Sequence, residues 1–98
     1  MNEPLKQESP HYHGHRDRLR QRFLQNGPDA LQDYELLELI LFMAIPRRDV
    51  KPLAKDLLKR FGGLPELMNA SVEELIKTDG VSETTAITLQ SITAMSHR

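Results

Sequence analysis

The chain has 98 residues, 39% of them hydrophobic and 28% charged, with no cysteine. That length holds one compact domain with a modest core. The absence of cysteine excludes disulfides and thiolate metal sites, and the longest apolar run, residues 39–45, is far short of the roughly 20 residues a membrane span needs. The formal net charge of −1 conceals an asymmetry: residues 11–61 carry ten Lys or Arg against seven Asp or Glu, and residues 62–98 carry two against five. Attraction for nucleic-acid phosphates therefore belongs to the front half.

Residues 1–13 are polar, contain Pro4 and Pro10 and lack the apolar core of a secretory signal. They read as a flexible leader on a cytoplasmic protein, followed by a single helical domain over 14–98. A first helix is predicted over 15–25, ended by Asn26, Gly27 and Pro28. Asp33 is the expected N-cap of a second helix over 34–44, with Glu35 in its first turn. Leu36, Leu37, Leu39, Ile40, Leu41, Phe42 and Met43 make this helix apolar on most of its circumference, so it should be central and the most buried.

Pro46 closes the second helix, and Arg47 and Arg48 form a short basic connection. Asp49 is the expected cap of a third helix over 50–61, with Pro52 in its first turn. Its apolar stripe is Leu53, Ala54, Leu57, Leu58 and Phe61, and Gly62 and Gly63 end it. Residues 64–69 form a helical turn at most. Ser71 and Glu74 make a capping box before a short helix over 72–78. Ser82 caps a last helix over 83–96, with Ala86, Leu89, Ile92 and Met95 facing inward. The fold class is all-α: about five short helices around a central apolar one.

Residues 75–87, within 71–96, resemble a helix-hairpin-helix motif. In that motif a glycine turn brings backbone amides close to a phosphate. Gly80, Val81 and Ala86 match it. Ser82 stands where a second glycine is usual, and Thr85 stands where Lys or Arg would neutralise the phosphate. Asp79 and Glu83 add opposing charge. The hairpin therefore either serves only to pack helices together or also touches phosphate through Gly80, Val81, Ser82 and Thr85.

Arg16, Arg18, Arg20 and Arg22 make the first helix the best nucleic-acid candidate, since arginine favours bidentate phosphate contacts. At 100° per residue, Arg16 and Arg20 share an edge with Leu19 and Phe23, while Arg18 and Arg22 point almost the opposite way. The alternative is that Arg16 and Arg20 pair internally with Asp33, Glu35 or Glu38. His11 and His13 are spaced like the start of a metallohydrolase signature. Gln21 and Leu24 stand where its serine and aspartate belong, so no metal site follows. No phosphate-binding glycine loop or nucleophile elbow occurs, and an enzyme, a cofactor or a small-molecule substrate is not expected.

The segments 14–20 (Gly-His-Arg-Asp-Arg-Leu-Arg), 33–38 (Asp-Tyr-Glu-Leu-Leu-Glu), 48–55 (Arg-Asp-Val-Lys-Pro-Leu-Ala-Lys) and 60–64 (Arg-Phe-Gly-Gly-Leu), with the Gly80 hairpin, resemble the N-terminal part of the bacterial RadC family. The resemblance covers residues 14 to about 94. It implies a cytosolic protein, named historically for DNA repair, whose helical domain precedes a JAB/MPN metallohydrolase-like domain. Zinc and hydrolysis belong to that second domain, which these residues lack, so the chain is expected to be a domain fragment. Two functional classes follow. The first is a DNA-binding module using Arg16, Arg18, Arg20, Arg22, Arg47, Arg48 and Lys51, with the hairpin amides. The second is a scaffold that docks on a protein partner or on its own catalytic domain. The basic front half favours the first.

Overall fold

The computed structural model describes residues 11–98, and side chains from His13 onward. The leader expected at 1–13 lies largely outside the described residues, and positions 11–13 are already helical. The elements are α1 (His11–Asn26), a 3₁₀ turn (Pro28–Ala30), α2 (Asp33–Ala44), α3 (Lys51–Phe61), α4 (Leu64–Met68), α5 (Val72–Ile76) and α6 (Glu83–Ser96). No strand occurs among the described residues. Residues 64–68 thus form a true helix where only a turn was expected.

Caps set most of these boundaries. Gly27 at φ 84° ends α1 and Gly62 at φ 97° ends α3, both in the left-handed region that glycine enters without a Cβ clash. Ser71 accepts the Glu74 amide while the Glu74 carboxylate accepts the Ser71 amide, so the capping box forms as expected. Ser82 caps α6 by accepting the Thr85 amide. Two caps shift by one position. Asp33 is the first residue of α2, not its cap, and Gln32 takes the N-cap place, its amide donating to Glu35 Oε1 at 2.9 Å. Val50 is the N-cap of α3, although Asp49 Oδ1 still accepts the Lys51 amide at 3.0 Å.

α2 is the hub: α1, α3 and α6 all pack on it, while α4 and α5 close the far side against α3 and α6. Leu37, Leu41 and Phe42 of α2 meet Leu19 of α1, Val50 beside α3, Leu53, Ala54 and Leu57 of α3, and Ala86 and Leu89 of α6 in one core. Each such leucine, taken wholly out of water, contributes about 1.5–3 kcal/mol of transfer free energy. The apolar circumference of α2 is not fully covered, since Leu36, Leu39 and Ile40 are half-buried and Met43 is 72% exposed. Met95 was expected inside and is 71% exposed. At 100° per residue it points well away from the face that buries Thr85, Ala86 and Leu89.

Candidate nucleic-acid interface

The arginines of α1 divide differently from their helical-wheel pairing. Arg16 is buried, and its guanidinium donates to the carbonyls of Pro46 (2.7 Å), Ile45 (2.8 Å) and Arg48 (2.6 Å). Those carbonyls lie at and just beyond the end of α2, where the helix leaves acceptors unsatisfied and its dipole favours a cation. The same guanidinium lies 4.5 Å from the centre of the Phe42 ring. Arg16 is therefore a structural staple and is withdrawn from any ligand.

Arg22 faces the domain as well, contrary to its expected outward direction. It grips Glu35 with two nitrogens, at 2.7 and 3.2 Å, and donates to Ala30 O at 2.9 Å. The hydrogen bond from Arg22 holds the Glu35 carboxyl below its ordinary value, and the same bond raises Arg22. Arg20 is exposed and bonded to Asp17 one turn earlier at 2.5 Å. Arg18 is exposed with no hydrogen-bond or ion-pair partner among the described residues. Of the four, Arg18 and Arg20 can reach a ligand.

His15 and Glu38 form a contact that the sequence did not signal. Glu38 is wholly buried, His15 Nε2 lies 2.9 Å from its Oε1, and the Glu38 Oε2 has no hydrogen-bond partner among the described residues. Burial pushes the Glu38 carboxyl up, opposed by the His15 bond. Among the described residues no three histidines or acids converge in a way that could hold a metal ion.

A second basic element lies at the turn between α5 and α6. Arg47 and Arg48, both exposed, line a shallow cleft of about 400 Å³ with Ile45, Pro46, Gly80, Ser82 and Thr85. Arg48 Nη2 donates to the carbonyl of Gly80 at 3.1 Å, which fastens the basic connection to the glycine turn 32 residues later. Gly80 takes φ 91°, and a Cβ there would sit 3.3 Å from Arg48 Nη2. Ser82 and Thr85 place the N-terminus of α6, an end that favours anions, at the same cleft.

Two of the expected hairpin contacts are not available. Val81 is buried and its amide is spent on Thr78 O at 3.1 Å. Thr85 is 1% exposed, with its hydroxyl against that of Ser82 at 3.2 Å. Lys51 is half-buried, 5.8 Å from the Tyr34 ring that also carries Lys55 at 4.8 Å. It stands apart from the cleft. The structure thus brings together Arg47, Arg48, Gly80 and Ser82, and leaves Arg18, Arg20 and Lys51 elsewhere. Asp49, Asp56 and Asp79 line an adjoining pocket that shares Arg48 and Gly80 with the cleft, and they weaken its attraction for anions.

No helix of the described residues is long and apolar enough to cross a membrane. No solved structure matches the chain. A family model described as UPF0758 N-terminal matches residues 13–87. That span takes in α1 through the start of α6, and the chain accordingly belongs to the UPF0758 N-terminal family, in agreement with the RadC resemblance carried by its motifs.

Proposed function

We propose that this domain is a non-catalytic, DNA-binding part of a cytoplasmic DNA-repair-type protein, and that it holds the nucleic-acid backbone at the cleft between the Arg47-Arg48 connection and the α6 N-terminus. The observation that carries this reading is the Arg48–Gly80 bond. A turn of helix-hairpin-helix type that lacks its own basic residue gains Arg48 from a distant loop, fastened to the turn, with Arg47 lining the same cleft. Arg18 and Arg20 on α1 supply a second patch for the same backbone. Contacts of this kind position without reading sequence, so binding is sequence-independent and salt-sensitive.

The test is fluorescence polarisation of a labelled DNA duplex and single strand across a salt series. Binding should be weak, and log K should fall with log salt by about 0.9 for each phosphate engaged on duplex DNA. Arg47→Ala with Arg48→Ala should lower affinity at low salt about tenfold and flatten the salt slope by about 2. An unchanged slope removes the cleft from the reading. Absence of binding at low salt leaves the alternative, a scaffold that docks on a protein partner or on a metallohydrolase domain, which the exposed Met43, Ile87 and Met95 support.

A further inference from the structure

One side of α6 is used up by the fold: Thr85, Ala86 and Leu89 are buried, and Thr93 Oγ1 donates to Met68 O at 2.8 Å. The other side carries a stripe in which every member is exposed: Glu83, Ile87, Gln90, Ser91, Ala94 and, just past the helix, Arg98. At 100° per residue the five helical members, from Glu83 to Ala94, stay within about 100° of arc, and Arg98 follows two residues after the last residue of the helix. Ile87 is 52% exposed, and it opens on a cleft of about 370 Å³ that Gln90, Ser91 and Ala94 also line. Neither Glu83 nor Arg98 has a side-chain partner among the described residues.

The order of residues along this stripe identifies what fits it. From the midpoint between Gln90 and Ser91 outward, each position on one side is the complement of its counterpart on the other. Gln90 faces Ser91, the large Ile87 corresponds to the small Ala94, and the acid Glu83 corresponds to the base Arg98. A stripe complementary to its own reverse is what a two-fold axis requires, because an isologous contact sets residue i against j and j against i. We infer that two copies of this chain pair through α6, antiparallel, about an axis passing between Gln90 and Ser91. Ile87 of each copy seats over Ala94 of the other, and two Glu83–Arg98 pairs close the ends. A parallel pairing would instead stack Ile87 on Ile87 and Glu83 on Glu83. The contact is one helix wide, which places it at the small, weak end of protein interfaces. It shares no lining residue with the Arg47-Arg48 cleft, although Glu83 adjoins Ser82 of that cleft, and it stands whether or not the cleft binds DNA.

Sedimentation equilibrium of the full chain at concentrations up to about 500 µM tests association in the range expected of a small contact. The mass should rise above that of the monomer with concentration. Ile87→Glu should abolish the rise, with an unchanged helical spectrum. Glu83→Arg and Arg98→Glu should each weaken association about fivefold, and together restore it. The two residues lie at opposite ends of a helix about 20 Å long, so restoration cannot arise within a single copy. Register is read by cysteine cross-linking in a chain that has no cysteine of its own. Ser91→Cys, beside the axis, should form a disulfide dimer. Ala94→Cys should do so only when mixed with Ile87→Cys. A monomer at every concentration, a double reversal that fails to restore association, or Ala94→Cys cross-linking alone as readily as Ser91→Cys, overturns the inference.

Discussion

His15 holds Glu38 at 2.9 Å from the rim of the core, and it is the only side chain that hydrogen-bonds this fully buried carboxyl among the described residues. Three residues earlier Glu35 is gripped by Arg22 through both oxygens. Two acids on one face of α2 are thus perturbed in opposite directions, Glu38 upward by burial and Glu35 downward by the Arg22 hydrogen bond.

The pH dependence of stability follows from the two signs. A carboxyl raised by burial favours the folded state while protonated, so the Glu38 contribution is complete below the ordinary carboxyl range and is lost as pH climbs through its raised value. A carboxyl lowered by Arg22 stabilises above the ordinary range and loses that contribution as pH falls through its lowered value. Urea unfolding between pH 3 and pH 8 separates them. Glu38→Gln should be at least as stable as the parent at pH 8, with the difference vanishing toward pH 4. Glu35→Gln should be less stable at pH 7 and converge on the parent near pH 3. A Glu38→Gln deficit that grows with pH contradicts this account.

Arg16→Ala should cost about 3 kcal/mol, because it strands three carbonyl acceptors near the end of α2 and removes a guanidinium from the Phe42 face. Arg16→Lys should recover at most half of this, since one ammonium cannot reach three acceptors in a planar fork. Chemical denaturation with an unchanged m-value is the measurement. A loss below about 1 kcal/mol would mean that water replaces the guanidinium.

Gly80→Ala forces a Cβ into the left-handed region and against Arg48 Nη2. We expect about 1–2 kcal/mol of destabilisation, together with faster hydrogen exchange at the turn that joins α5 and α6. Arg48→Ala should quicken exchange at the same turn with a smaller loss of stability, because Gly80 O then turns to water. Exchange at the turn that is insensitive to Arg48 would remove that residue as its fastener.

Thr85→Lys restores by sequence the basic residue that the hairpin pattern lacks. Thr85 is buried against Ser82, so the ammonium must either be buried or displace α6. The variant should lose roughly 2 kcal/mol or more in thermal or urea unfolding and gain no DNA affinity. Tighter DNA binding without loss of stability would show that position 85 is accessible after all.

How much the sequence disclosed varies with the kind of physics involved. Helix ends were legible where chemistry is local, as at Gly62, at Ser71 with Glu74, and at Ser82. The centrality of α2 was legible from its density of apolar residues. The direction in which α1 faces was not. A helical wheel tells which residues share an edge, but with few apolar side chains in α1 it does not tell which edge docks, and the docked edge proved to be His15, Arg16, Leu19 and Arg22. The burial of Thr85 was within reach, because it stands one turn before the inward-facing Leu89 and beside Ala86. The Arg48–Gly80 contact joins residues 32 apart and depends on how α3 returns the chain, which no local pattern encodes.

The three carbonyls that Arg16 gathers belong to the stretch that leads into Arg47 and Arg48. The opening helix therefore shapes the cleft from behind, as a buttress braces a wall it never appears on. Proteolytic cleavage between residue 16 and the end of α1 would leave all the exposed cleft residues in the chain and yet set their loop adrift, so an N-terminally trimmed domain is a different molecule at that surface from the one described above.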